Sequence, residues 1–307
     1  MQLNRLVVLI GLTFVLSCTN SNNERVVVDF DKARDSDQNI DNNTKKEVYI
    51  AIASMTSPKE TFIYYGDLIK YISQKVGHPI FIKQKKTYEE VNMLLEDSEV
   101  DFAFICSGAF VDEYKKRKIK ILVAPKINND THYHAYLIAG KDGQINSFKD
   151  FENKSFAFTD PLSNTGRLYP EKKLAELGRD ENEFFLKTVY TYGHDISIQM
   201  VNRGIIDGAS VHGLIFDYLS EHQPEKVKNI KIIEESEKFG IPPVVTPSSL
   251  SKQKFNEYRQ IFLNMHNDSS GREILNKLNI DKFVVVNNKL YKSVFQLKKF
   301  TDNANKK

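Results

Sequence analysis

The chain has 307 residues, 41% hydrophobic and 27% charged, which is long enough for two domains or one bilobed globule with an ample core. A formal net charge of +3 is too small for a nucleic-acid partner, and no Lys/Arg run is interleaved with aromatics as a binding stripe. Two cysteines, Cys18 and Cys106, are too few for a disulfide framework.

Met1 to Cys18 reads as an export signal. Arg5 is the charged n-region, and Leu6 to Leu16 form an apolar core too short for a comfortable retained membrane span. Val15-Leu16-Ser17-Cys18 resembles a lipobox, in which cleavage precedes Cys18 and that cysteine carries lipid. Residues 19–46 are Asn/Asp/Ser-rich without hydrophobic periodicity and read as a tether. About 28 such residues have a root-mean-square reach of roughly 30 Å.

The globular part opens with a strand at Val48–Ala53. Ser57-Pro58-Lys59-Glu60 is a capping box with Pro at the first helical position. The helix that follows carries Phe62, Tyr65, Ile69, Ile72 and Val76 at three/four spacing and stops at Gly77. Pro79–Lys83 is a second strand, and Thr87-Tyr88-Glu89-Glu90 a second capping box ahead of Val91, Leu94 and Leu95. Asp101–Cys106 is a continuous apolar strand suited to a buried parallel sheet, which makes Cys106 a buried, inert thiol. After Ser107-Gly108 come a short helix to Lys116 and a strand at Ile119–Ala124. Tyr133–Ala139 then leaves this first unit, and a second alternation runs through Phe156, Leu186–Tyr190, a helix with Ile198 and Val201, and Asp207–Val211. Ile230–Glu234 brings the chain back. Helices from about Ser251 and from a Ser270–Glu273 capping box complete it, and are expected to pack on the first unit. Strand and helix alternate throughout, so the class is α/β.

One stretch organises the rest. Phe156–Thr159 is an apolar run that ends at the Asp160-Pro161 turn; the polar cluster Ser163-Asn164-Thr165-Gly166 then opens a helix with Leu168, Leu174 and Leu177, closed by Gly178. Ser, Asn and Thr satisfy free N–H groups at a helix start, and Gly166 removes a Cβ where a ligand would approach. A strand feeding such a turn is an anion site or an ordinary N-cap. No Lys follows as in a nucleotide-triphosphate loop.

Asp160-Pro161 with Ser163, Thr165, Gly166 and Pro170 resembles the signature of the phosphate/phosphite/phosphonate-binding proteins of ABC transporters. Further pieces follow the family order: Glu99–Phe104, Tyr133-x-x-Tyr136-Leu137-Ile138, Gly193-His194-Asp195, Gly204–Ala209 and Phe239-Gly240-Ile241-Pro242-Pro243. The likeness runs from Val48 to about Val294. It implies a type II periplasmic binding fold, two α/β lobes joined by two crossovers with a ligand cleft between them and hinge closure around the ligand. Its expected division is signal 1–18, tether 19–46, lobe I 47–138, lobe II 139–240, a return to lobe I over 241–300 and a tail 301–307.

The resemblance also assigns a site. Ser163 and Thr165 match the family's hydroxyl positions, with Asn164 where Ser or Thr is usual, and Gly166 follows. Tyr88 and Tyr133 match aromatic donors from the first lobe, and His194 matches a pocket histidine. His212, in the loop Val211-His212-Gly213, stands where family members vary. Arg167 departs from the family pattern: it is either a charged clamp or the partner of Glu171 one turn on.

Enzymatic readings are weak. Ser163, His194 and Asp195 supply the residue types of a hydrolytic triad, but His194 and Asp195 are sequence neighbours that do not face each other. His132 and His134 have no third metal ligand at nearby spacing. The implied function is a non-enzymatic receptor without cofactor or metal, exported and lipid-anchored, that hands a phosphorus oxyanion to an ABC permease and its ATPase as a monomer. A sensor of the same fold and a phosphoester hydrolase are the alternatives. The segments expected at the far end of the pocket, Val211–Leu214 and Gly240–Pro243, contain no Asp or Glu to pair an ammonium. That favours phosphate, phosphite or a small alkyl phosphonate over an aminoalkyl phosphonate.

Overall fold

A computed structural model describes residues 47–304. The signal, the candidate lipidation site Cys18 and the tether lie outside these residues. No helix among the described residues is long and apolar enough to cross a membrane.

The chain runs β1 (Val48–Ile52), α1 (Pro58–Val76), β2 (Ile80–Lys83), α2 (Tyr88–Glu96), β3 (Phe102–Phe104), α3 (Ser107–Lys115), β4 (Ile119–Lys126), β5 (His132–Tyr133) and β6 (Ala135–Gly140). It continues through β7 (Ser155–Phe158), a π-helical turn (Asn164–Leu168), α4 (Tyr169–Leu177), α5 (Glu181–Phe184), β8 (Lys187–Tyr190), α6 (His194–Asn202), β9 (Gly208–His212) and α7 (Gly213–His222). It ends with β10 (Ile230–Glu235), β11 (Phe239–Gly240), β12 (Val244–Pro247), α8 (Lys252–Asn264), α9 (Ser269–Lys277), β13 (Lys282–Val284) and α10 (Lys292–Ala304).

Two sheets organise these elements, in the orders β13-β4-β12-β3-β1-β2 and β10-β6-β9-β7-β8. Each has a parallel half, β2-β1-β3 and β8-β7-β9. Parallel strands need both faces covered, and these are correspondingly apolar: Ile50, Ala51, Phe102 and Ala103 in the first sheet, and Phe156, Ala157 and Ala209 in the second, are fully buried. The carboxyl ends of the two parallel halves feed the N-termini of α1, α2 and α3 in one lobe and of the π-turn, α6 and α7 in the other. In open α/β sheets this edge is where ligands bind.

The chain passes between the sheets twice, and the two passes pair as a short antiparallel ribbon, with Tyr133 opposite Phe239 and His132 opposite Gly240. β6 pairs with β9 and β10 in the second sheet, so the first lobe ends before Ala135 and not at residue 138. A buried core continues through this ribbon, joining Ala103, Phe110 and Tyr291 to Phe158, Tyr169 and Phe239.

Several local expectations are corrected. β3 stops at Phe104, and Cys106 is the residue that precedes α3, where its thiol is free and buried. Ser57 makes no side-chain cap for α1; instead its N–H donates to Asp195 Oδ1 at 2.8 Å, and Glu60 pairs with Lys226 at 2.8 Å. At Thr87–Glu90 the reciprocal capping box is formed. α9 is capped by Asp268, which accepts from the N–H groups of Ser270 and Gly271, and not by a Ser270–Glu273 box. α10 runs to Ala304, so residues 301–304 are helix and not tail, and it packs on α4 and the π-turn as well as on α3.

Candidate functional site

The π-turn carries the site. The N–H groups of Leu168 and Tyr169 reach back to the carbonyls of Ser163 and Asn164, an i→i+5 pattern that recurs at functional sites. Ser163 caps the turn, its Oγ accepting the Gly166 N–H at 3.0 Å, so part of its hydroxyl's capacity is spent on local structure. The Gly166 requirement also has a different cause from the one expected. A Cβ there would lie 2.4 Å from Thr159 Oγ1, so the glycine makes room for a neighbouring side chain.

That neighbour matters. Thr159 Oγ1 lies 3.0 Å from His194 Nδ1, and the backbone N–H of His212 donates to the same nitrogen at 3.2 Å. A backbone amide can only donate, so Nδ1 carries the lone pair and the ring proton sits on Nε2. Burial, and secondarily His212, holds the His194 pKa well below its ordinary value, so the ring is neutral. His194 begins α6, His212 ends β9 as the residue before α7 and is not in a loop, and Tyr133 lies on the hinge ribbon. The His212 ring stacks on Tyr133 at 4.2 Å between centroids, and burial lowers its pKa to about 3.

Tyr133 joins the two lobes chemically. Its Oη lies 2.8 Å from Ser107 Oγ at the start of α3 and accepts from Asn164 Nδ2 at 3.2 Å. α3 approaches so closely that a Cβ at Gly108 would stand 2.3 Å from the Leu162 carbonyl. Two aspartates of the second lobe fasten the first: Asp195 on the Ser57 N–H, and Asp160 Oδ2 on the Tyr88 N–H at 3.0 Å. The His194 N–H donates to the Met55 carbonyl at 2.9 Å. The lobes are therefore closed on one another.

Within this closed junction Tyr88 Oη, Asn164 Oδ1, Thr165 Oγ1, His194 Nε2 and His212 Nδ1 are buried and have no hydrogen-bond partner among the described residues, and neither has Asp195 Oδ2 at its edge. Buried polar atoms are almost always paired, so these orphans mark a place built to face a polar ligand. Tyr88, Thr165 and His194 are fully buried. Burial also pushes the Tyr88 and Tyr133 hydroxyls far up, so both stay protonated donors.

Arg167 is not part of it. Its guanidinium pairs with Glu171 and Glu181 and lies 4.4 Å from the Phe158 ring centroid. His132 and His134 hold Asp130 and the Ser236 carbonyl. The ring partners of His194 among the described residues are Thr159 and the His212 N–H, not a carboxylate. The sequence passed over Thr159 and Ser107 as site residues; Thr159 directly follows β7, and Ser107 opens α3 after an apolar strand much as the Ser163 cluster opens the π-turn.

Beside the polar cluster, and sharing His212 with it, is a cavity of about 230 Å³ between the lobes. Asp217 and Glu221, on the successive turns of α7, line it, so carboxylates do reach this end of the cleft. The Tyr136 hydroxyl donates to Asp217 at 3.2 Å and Asn279 Nδ2 to Glu221 at 2.7 Å.

Two lobes, two crossovers and a buried polar site between them define a periplasmic binding protein of the type II fold. The profile of the family described as "ABC transporter, phosphonate, periplasmic substrate-binding protein" matches residues 50–291, and the chain belongs to that family. It is 23% identical over 181 residues to a probable ABC transporter phosphite-binding protein of Prochlorococcus marinus, covering 55% of this chain and 61% of that one. It is 27% identical over 150 residues to the phosphonates-binding periplasmic protein of Escherichia coli, covering 48% and 44%. The matches thus span about half the length of these curated relatives. Among solved structures, the binding component of a Pseudomonas aeruginosa ABC phosphonate transporter superposes with TM-score 0.79 at 22% identity, covering 84% of this chain and 87% of that one. The Prochlorococcus marinus phosphite-binding relative in complex with methylphosphonate superposes with TM-score 0.75 at 17% identity, covering 86% and 100%. At these identities the structural likeness establishes the fold.

Proposed function

We propose that this protein captures a small phosphorus oxyanion (phosphate, phosphite or a small alkyl phosphonate) between its lobes and delivers it to an ABC permease and ATPase. The observation that carries this is the set of buried, unpartnered polar atoms on Tyr88, Thr165 and His194, with Ser163, Asn164, Gly166, Tyr133 and His212 around them. Tyr88 and Tyr133 come from the first lobe and the hinge, the rest from the second, so a ligand that bonds both favours the closed form. Neutral hydroxyls and an imidazole N–H, at the starts of α2, α6 and the π-turn, stabilise oxyanion charge without a counter-cation. The Asn164 carbonyl oxygen, an acceptor, suits the P–OH of a monoprotonated ligand. The relatives' names, a phosphite-binding protein and a phosphonates-binding protein, point to the same ligand class. The protein acts as a receptor and not as an enzyme, and it is exported and held at the membrane by lipid on Cys18.

Calorimetric titration of the purified protein with phosphate, phosphite and methylphosphonate tests the assignment. Stoichiometric binding without product is expected, and no binding of any of the three overturns it. Replacing Cys18 by Ala is expected to move the protein from the membrane to the soluble exported fraction or to leave it unprocessed. A processed variant that stays membrane-bound removes the anchor from the proposal.

A further inference from the structure

The cavity beside the polar cluster is built for something other than the oxyanion. Its walls come from both lobes: Tyr65 and Phe283 from the first, Leu214, Ile215 and Tyr218 from the second, with Pro242 and Pro243 of the return crossover between them. No lysine or arginine lines it among the described residues. Its two carboxylates, Asp217 and Glu221, each already accept a hydrogen bond from the protein. Both carboxylates belong to exposed residues, whose charge solvent stabilises without a buried ammonium, and most of the cavity surface is aliphatic or aromatic.

The cavity meets the oxyanion cluster at His212, whose Nδ1 is buried and unpartnered. It also meets the segment Ala53–Thr56, where the Met55 carbonyl holds the His194 N–H. His212 is thus common to the cavity wall and to the polar cluster, which makes the cavity the neighbouring space for a substituent on a phosphorus atom held by that cluster. About 150 Å³ of apolar cavity suffices to hold a benzene ring. The 230 Å³ here therefore exceeds what a methyl group or a bare oxyanion can fill.

From this shared residue and the apolar character of the cavity we infer that the preferred ligand is a phosphonate whose phosphorus bears an uncharged apolar substituent about the size of a phenyl or butyl group. The inference rests on the oxyanion assignment above and extends its phosphonates beyond the small alkyl ones named there. Apolar area leaving water on both ligand and cavity wall supplies the preference over methylphosphonate.

The test is a titration series on the unaltered protein with phosphate, methylphosphonate, phenylphosphonate and 2-aminoethylphosphonate as probes. Phenylphosphonate is expected to bind at least about tenfold tighter than methylphosphonate. The inference is overturned, with the oxyanion reading intact, if methylphosphonate or phosphate binds and phenylphosphonate binds no tighter. It is likewise overturned if 2-aminoethylphosphonate is the tightest of the series. If none of the four binds, the oxyanion reading itself fails. Ile215→Trp, which fills the cavity from the second lobe, is expected to abolish the phenylphosphonate advantage and leave methylphosphonate within about threefold of the parent. Leu278→Trp does the same from the first lobe and keeps the test available if the first variant does not fold. An equal loss for both ligands in whichever variant folds counts against the cavity as the substituent's site.

Discussion

The backbone N–H of His212 donates to Nδ1 of His194 at 3.2 Å, and this bond decides what His194 can do. With Nδ1 held as an acceptor, the imidazole presents Nε2–H, an unpartnered donor in the buried junction, without becoming a cation. His194→Gln, whose amide nitrogen can approach the Nε2 position, is expected to retain much of the oxyanion affinity. His194→Ala is expected to lose about 1.5–3 kcal/mol, the range for a hydrogen bond to a charged group. Calorimetry on the two variants checks this, and equal losses would argue for a role in folding alone.

Ser163 and Thr165 are separated by the same reasoning. Ser163 caps the π-turn, whereas Thr165 Oγ1 is buried without a partner. Ser163→Ala should lower unfolding free energy by about 1 kcal/mol, a cap's worth. Thr165→Ala should leave stability nearly unchanged and weaken ligand binding by about 1.5–3 kcal/mol. Urea unfolding paired with titration of each variant reads the two effects independently.

Asp195 bears on closure. It touches the Ser57 N–H of the opposite lobe and contributes no atom to the oxyanion cluster's donors. Asp195→Ala should reduce the closed population and so weaken every ligand by one common factor, about tenfold. Small-angle scattering should show a more open bound form at subsaturating ligand. A loss that differs strongly between phosphate and methylphosphonate would contradict this role.

Acid stability follows from the two buried histidines. Both have folded-state pKa values below the free histidine's, that of His212 at about 3. As pH falls the unfolded chain takes up the proton first, so their stabilising effect is complete above about pH 6.5 and declines below it. Each contributes a slope of up to about 1.4 kcal/mol per pH unit in that window. His212→Phe keeps a ring against Tyr133 and removes one titration. Its ligand-free unfolding free energy should therefore fall less steeply between pH 6.5 and 4.5 than the parent's. An identical slope in parent and variant would show that His212 is not held neutral.

The sequence determined the parts that depend on near neighbours. Apolar runs, capping residues and left-handed stops at Gly77 and Gly178 follow from backbone sterics and local hydrogen bonding, so the alternation of strands and helices was legible. The ordered motifs around Asp160–Gly166 led to the fold and the family. What the sequence could not order is who meets whom across the cleft. Asp160 reaches Tyr88 over 72 positions and Asp195 reaches Ser57 over 138. Spacing along a chain carries no information about such pairs, because they exist only once two lobes fold and close. The spacing did offer Glu171 as a partner of Arg167, but only the tertiary structure chose that pair over a ligand clamp, added Glu181, assigned Gly166 to Thr159, and brought Asp217 and Glu221 to the cavity wall. A helix displays every third or fourth residue on one face, but which face looks into a cleft is set by the packing of its neighbours.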